Sequence, residues 1–552
     1  MNVDCKRDDS RVLRVCPLNP RPGLPGVLRI GQGVGVLALL LLGCSSGGQD
    51  HARATPPIFL ATGRSGTRTV TVRVAQPDGS SRVLGDVELD REPNVPISSF
   101  DYTTLDFPDA SLNPSPDGLA VLFRQGLKVD ILDVASASAA SSLNDVGGPI
   151  LWSPGGSHFI YQTDHRLLSV DRATGRVSVV VDFGDACLGG YKWSPDETRL
   201  AYLVNRDGNC VGPSELHVVA ATGEDDRLVH RAATFCNGGY DEASVWSADS
   251  THVAYVVTSI PLSADRQPLN GTVAFYAASI TGSASSDGSG VRPSAMVELP
   301  SSDYSPMVVM PGSVAYATPN AETTCEWSPR TNWLAVSGRD LHVLRADGSD
   351  RRIFESSRSA ESVALVGADV WWSPDGERLG RYDHDGLSFR LRTFSPSSSG
   401  SASAELDVKL RYPCCSELTW SADGQHAMYV IDDEGSAVGQ IPLPQRIHLW
   451  HAESGSDENL GDQSVGGFNA EGTRLFYGFD ASPDTRPWIR PVDGGRTVRL
   501  PSAARGWASE NAVVIVRDAT VIVRSIDSGK ESTIWQNTAD ERLLSLVVPR
   551  SF

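Results

Sequence analysis

The residues of this 552-residue chain best equipped for covalent chemistry are cysteines. Leaving aside those near the start, six remain: Cys187, Cys210, Cys236, Cys325, Cys414 and Cys415. An even number suits disulfide pairing in an oxidising compartment. Other chemistry is harder to find. The sequence has no Gly-x-Ser-x-Gly nucleophile elbow, no Gly-x-x-x-x-Gly-Lys phosphate loop and no His-Glu-x-x-His metal pair. The acidic turns Asp383-His384-Asp385-Gly386 and Asn205-Arg206-Asp207-Gly208 lack the distant glutamate that a helix-loop-helix calcium site requires, and read as hairpin turns. His448 and His451 lie three apart on a strand-like segment, so alternation turns them to opposite faces and they share no metal. The expectation is therefore no catalytic residue, no metal and no cofactor.

What positions these residues is a repeat. An aromatic-Ser-Pro-Asp-Gly segment followed by a short apolar run recurs as WSPGGSHFIYQ from Trp152, WSPDETRLAYL from Trp193, WSADSTHVAYV from Trp246 and WSPRTNWLAVS from Trp327. It continues as WSPDGERLGRY from Trp372, WSADGQHAMYV from Trp420, FNAEGTRLFYG from Phe468 and WASENAVVIVR from Trp507, with an earlier copy, PSPDGLAVLFR, at Pro114. Successive intervals are 38, 41, 53, 81, 45, 48, 48 and 39 residues, near the 40–50 of a propeller blade. The 81-residue interval holds a Ser/Gly-rich stretch at 279–294, read as an insertion on one blade.

Each unit reads as four strands. Proline presets φ and glycine accepts positive φ, so Ser-Pro-Asp-Gly closes a hairpin between the first two strands. SELHVVAA, DLHVLRAD, RIHLWHAE and TVIVRSID supply third strands, and RVSVVVDF, DRRIFES and GRTVRLP supply fourth strands. A single blade cannot bury both faces, so blades must stack, with the tryptophans packed between neighbours. PIFLAT, TVTVRVAQPDG and SRVLGDVEL before the first repeat, with ERLLSLVVPR after the last, predict a composite blade that joins the chain ends and removes exposed edges. The expected fold is all-β, a β-propeller of four-stranded antiparallel blades. Nine repeats plus the composite make about ten units, within a range of 8–10 and above the usual four to eight, as one large ring, an irregular one or two rings.

The WSPDG-x-x-[LI]-A-[FY] hairpin followed by an I-x-[VL] strand resembles the TolB-type, WD-repeat-like propellers of the bacterial envelope, over nearly all of the chain after its first segment. Such propellers serve as binding platforms and also as gating domains of peptidases, so the resemblance implies a fold more than an activity. In two respects the chain departs from TolB: no comparable N-terminal domain precedes the blades, and TolB carries no lipid.

In a propeller, the connection leading into a first strand and the one between second and third strands share one end of the ring. Cys187, Cys236 and the Cys414/Cys415 pair stand 5 to 10 residues before a blade tryptophan, and Cys210 lies between second and third strands. This predicts a bridge from Cys210 to Cys187 or to Cys236, closing roughly 25 residues for about 3 kcal/mol, with free buried thiols as the alternative. Cys-x-Gly-Gly-Tyr occurs twice, at 187–191 and 236–240, which makes Tyr191 and Tyr240 candidates for a ligand-facing rim.

The chain starts differently. Residues 30–43 form an apolar run of 14 after arginines ending at Arg29, the length of a signal-peptide core and too short for a span of about 20. Leu41-Leu42-Gly43-Cys44 closes that run and resembles the lipobox of bacterial lipoproteins, which implies acylation of Cys44. Two or more acyl chains suffice for stable attachment to a membrane. The expected organisation is a lipoprotein signal peptide at 1–43, a flexible tether at 44–56 and the propeller at 57–552. Ser45 in place of aspartate favours the outer membrane, by resemblance to proteobacterial sorting. Removing 1–43 leaves 42 Lys/Arg against 64 Asp/Glu, a formal charge of −22, which argues against nucleic acid as a partner. The expected role is a membrane-anchored envelope module binding a protein, peptide or glycan. The alternative is a glycan-active propeller enzyme with its site in the central channel.

Overall fold

The computed structural model describes residues 57–547 apart from 65–66, 77, 90–109, 135–138, 207–213, 237–244, 260–271, 282–290, 300–323, 339, 355–369, 385–388, 397–407, 411–417, 433–444, 463–466, 478–486, 502–503, 518–519 and 539–540. All of its regular structure is antiparallel strand, arranged as a β-propeller of ten blades. Blade 1 is composite: Glu541–Val547 from the end of the chain pairs with Ile58–Arg64, followed outward by Thr69–Ala75 and Ser81–Glu88. Blades 2 to 4 run in chain order from Ala110–Pro114 to Ala139–Leu143, from Gly147–Trp152 to Val177–Asp182 and from Cys187–Trp193 to Arg227–Ala233. Blade 5 contains His252–Ser259, Thr272–Ser279 and Pro293–Leu299, and the bridges Thr234↔Val256 and Trp246↔Val253 mark its first strand. Blades 6 to 8 run from Thr324–Trp327 to Arg351–Phe354, from Val370–Trp372 to Val408–Leu410 and from Thr419–Trp420 to Ser456–Asp462. Blade 9 extends from Gly467–Phe468 to Val498–Arg499, and blade 10 from Ala504–Ser509 to Glu531–Gln536. The Ser/Gly-rich stretch at 279–294 joins the third and fourth strands of blade 5, so it belongs to one blade as its composition predicts.

The core is distributed rather than central, because each sheet is apolar on both faces and must be covered twice. Ten hydrophobic clusters are found among the described residues, one for each pair of successive blades. Leu122 and Ile131 of blade 2 pack with Trp152 and Phe159 of blade 3, and Ile160 of blade 3 packs with Trp193 and Tyr202 of blade 4. The series closes where Val514 and Trp535 of blade 10 meet Leu60 of blade 1, and Val72 of blade 1 meets Phe123 of blade 2. The ten units therefore form one ring, and the two-ring alternative falls.

The tryptophans add a directional bond to this packing. The indole N–H of Trp152 donates to the carbonyl of Asn113, that of Trp193 to Leu151, Trp246 to Lys192, Trp327 to Val245, Trp372 to Glu326 and Trp420 to Trp371, at 3.1–3.3 Å. In each case the acceptor immediately precedes the equivalent aromatic or proline position of the preceding blade. First strand is thus bonded to first strand from blade 2 to blade 8. Phe468 has no N–H to offer, and that of Trp507 is buried without an acceptor among the described residues.

The turn after each tryptophan has one repeated construction. Ser194 Oγ donates to Asp196 Oδ1 at 2.6 Å and accepts from the Arg199 amide at 3.0 Å, and Ser247 repeats this with Asp249 at 2.7 Å and His252 at 2.9 Å. The fourth turn position is left-handed: Gly118, Gly376 and Gly424 have φ of 68°, 74° and 67°. At that position blades 4 and 5 carry Glu197 (φ 62°) and Ser250 (φ 60°), where a side chain costs about 1 kcal/mol relative to glycine. Both side chains reach the preceding blade. Ser250 Oγ accepts from the Asp196 amide at 3.0 Å. Glu197 Oε2 accepts from Ser153 Oγ at 2.9 Å and from Ser157, and Oε1 from the Gly155 amide, where blade 3 has glycine in place of the usual aspartate. The blade 4 carboxylate thus replaces the one that blade 3 lacks. Glu197→Ala is expected to lower stability by about 1–2 kcal/mol, because alanine keeps the left-handed strain while the carboxylate that accepts all three bonds is lost. The midpoint of urea unfolding checks this, and an unchanged midpoint would show that Glu197 contributes nothing across the blades.

Candidate functional site

Most of the chemically able side chains in the repeats are already engaged by neighbouring blades. Asp249 Oδ2 accepts from Asn332 Nδ2 of blade 6, and Asp117 of blade 2 pairs with Arg172 of blade 3. Burial pushes the Asp249 carboxyl up, but hydrogen bonds from Ser247, Thr251 and Asn332 outweigh it and hold the group below the ordinary carboxylate value. Asp196 behaves alike: burial is opposed and outweighed by Ser194, Thr198 and Ser250. Asp196 and Asp249 are therefore structural acceptors held in favour of their ionised form. Between the outer strands of blades 8 and 9, Arg490 grips Glu458 through two parallel bonds of 2.6 and 2.8 Å.

One polar network was not visible in any motif. On blade 4, Tyr202 and His217 are cross-strand partners whose rings stack at 5.1 Å. Tyr202 Oη donates to Asp226 Oδ2 at 2.9 Å, while His217 Nδ1 lies 3.2 Å from Asp226 Oδ1 and its Nε2 lies 3.3 Å from Glu215 Oε2. Arg206 and Arg231 bind the same Glu215. Burial, reinforced by Asp226, raises the Tyr202 hydroxyl above its ordinary value. Because both ring nitrogens of His217 face carboxylates, neither is available to act as a base or a metal ligand, and the network fastens the outer strands. Blade 8 repeats it: His448 partners Tyr429 and bonds Asp457 at 2.8 Å, with the same nine-residue step from His to Asp as His217 to Asp226. That shared step is the signal by which sequence reading could have found it.

Of the predicted rim, Tyr191 lies in the core between blades 3 and 4, with its hydroxyl donating to the Pro149 carbonyl at 2.9 Å. Burial pushes that hydroxyl up to about 12, with Arg124 pulling the other way. Tyr240 lies outside the described residues, as do Cys44, Cys210, Cys414, Cys415 and the last two residues of each acidic turn. Cys236 is bonded to Cys325, with Cα atoms 5.3 Å apart. This corrects the expected Cys210–Cys236 alternative: Cys236 leads into the first strand of blade 5 and Cys325 sits in that of blade 6, so the tight approach of consecutive first strands brings them together. Cys187 is also disulfide-bonded. No group of three or more His, Cys, Asp or Glu poised for a metal occurs among the described residues.

The ends of the ring differ. Because strands alternate in direction, the first-to-second and third-to-fourth turns share one end, and the second-to-third and fourth-to-first connections share the other. In blades 2, 3, 4, 6, 7, 8 and 9 the first-to-second turn is five or six residues. On that same end, 13-residue connections interrupt the pattern in blades 5 and 7. At the opposite end, second-to-third connections range from two residues in blades 2 and 10 to 12 in blades 5 and 8. Fourth-to-first connections there reach 24 residues between blades 5 and 6. Length variation on a constant scaffold is how loop-borne recognition is built.

No known protein family matches the chain, and no curated protein does. Among solved structures it is similar to a crystal structure of the eukaryotic initiation factor, at 13% identity and TM-score 0.45, over 81% of this chain and 96% of that one. It is also similar to Porphyromonas gingivalis dipeptidyl peptidase 4, at 13% identity and TM-score 0.41, over 78% of this chain and 60% of that one. A third likeness, to a structure titled putative TolB from Agrobacterium tumefaciens, has 20% identity and TM-score 0.22, over 42% of this chain and 91% of that one. At these values the propeller assignment rests on the strand pairing and closure of the ring itself.

Proposed function

We propose that this chain is a lipid-anchored binding module of the bacterial cell envelope. Acyl chains on Cys44 hold it at a membrane, with the outer membrane favoured, and the end of the ring with variable connections receives a protein, peptide or glycan. The observation that carries the binding role is the contrast between ends, since repeated turns secure the blades at one and connections of 2 to 24 residues diversify the other. A rigid ring is the kind of scaffold on which such loops recognise a partner with little loss of order. The anchor rests on the Leu41-Leu42-Gly43-Cys44 segment closing an apolar run. The formal charge of −22 for 44–552 makes attraction to an anionic surface unfavourable, so lipid must supply the attachment.

Cys44→Ser is expected to move the protein from the membrane fraction to the soluble fraction, with loss of fatty acid from the processed N-terminal peptide in mass spectrometry. Retention of the variant on membranes would overturn the anchor. The binding role is tested by crosslinking the lipidated protein in its native envelope and identifying what is captured. Replacing the 433–444 connection with a two-residue turn should abolish capture of that partner, and equal capture would place recognition elsewhere. Turnover of envelope glycans by the purified protein would favour the enzymatic alternative.

A further inference from the structure

Blade 8 brings together two histidines that stand 25 residues apart in the sequence. His426 opens its second strand and His451 ends its third, and the two are direct partners in the antiparallel register. Their Nδ1 atoms are 3.0 Å apart, with ring planes at 90° and centroids at 4.9 Å. Both rings are half-buried at the end of the ring that carries the short turns, within reach of solvent. Two imidazole nitrogens bound to one transition ion at about 2.0–2.1 Å, with an angle near 95° between them, stand about 3 Å apart. The pair therefore already has the bite of a chelate. Its surroundings favour a cation: Asp423 and Asp493 act on His426 as negative charges.

We infer that His426 and His451 form a bidentate site for a divalent transition cation, with water completing the coordination. Nitrogen ligands select copper, nickel or zinc over calcium and magnesium, and among these copper binds most tightly. This role is independent of the binding function proposed above, and a failure of one leaves the other standing.

The test titrates untagged full-length protein with Cu²⁺ and reads calorimetry together with the electron paramagnetic resonance spectrum. One equivalent of copper with two-nitrogen coupling is expected. His426→Ala and His451→Ala should each weaken this binding by about tenfold or more, while His448→Ala leaves it unchanged. Absence of binding in the wild type, or binding unaffected by both single variants, would show that the rings share only an N–H···N hydrogen bond and would overturn the site. In case a variant misfolds, wild-type protein treated with diethyl pyrocarbonate gives a second reading. Zn²⁺ should protect His426 and His451 together, and modification unaltered by Zn²⁺ would equally overturn the proposal.

Discussion

Replacing Trp327 with alanine is expected to destabilise the propeller by about 3–5 kcal/mol, the usual cost of truncating a large buried aromatic. Trp327 is only 2% exposed and fills the space between blades 5 and 6 with Val256, Phe275 and Leu334. Its indole N–H also satisfies the Val245 carbonyl at 3.1 Å, so the variant leaves a cavity and removes one bond in the series joining first strands. Trp327→Phe separates the two effects. It keeps most of the volume and should cost about 0.5–1.5 kcal/mol, the net contribution of one hydrogen bond, since the Val245 carbonyl still accepts from the Ala254 amide at 2.8 Å. Guanidinium unfolding followed by tryptophan-independent far-UV circular dichroism measures both. Equal losses for alanine and phenylalanine would mean that the hydrogen bond, rather than packing, dominates.

Removing the Cys236–Cys325 bridge should have a comparable effect for a different reason. The two cysteines are 89 residues apart in sequence, so the crosslink shortens an unusually long loop in the unfolded chain, and loop-closure entropy puts its contribution at about 4–5 kcal/mol. The loop spans nearly all of blade 5, whose first strand is marked among the described residues by isolated bridges and whose third and fourth strands are joined through the Ser/Gly-rich stretch. The double variant Cys236→Ala with Cys325→Ala avoids a lone thiol and leaves the bridge at Cys187 in place. Its unfolding midpoint, compared with that of the oxidised wild type, should fall accordingly. Non-reducing peptide mapping gives an independent check: a tryptic species joining Cys236 to Cys325 is expected, and one joining Cys236 to Cys210 would refute the pairing.

The blades are legible in the sequence because their turn chemistry is local. Serine hydroxyl, aspartate carboxylate and a left-handed fourth residue act within six positions, so their recurrence marks each hairpin, as at Ser194–Asp196 and Ser247–Asp249. Closure was legible too, since ERLLSLVVPR is a strand without a blade of its own, and the structure pairs it with Ile58–Arg64. Glu197 was not: a glutamate where glycine belongs looks like a defect until the acceptor missing from blade 3 is seen beside it.

The repeat, its strand content and the means of closing it are thus written locally in the chain, governed by backbone turns and alternating burial over a few residues. That ten units make one ring, that Cys236 meets Cys325 and that His451 faces His426 follows from the packing of blade on blade and strand on strand. Those outcomes depend on which strands lie side by side, and cross-strand register and blade-to-blade approach join residues 25 to 89 positions apart that no local spacing rule relates.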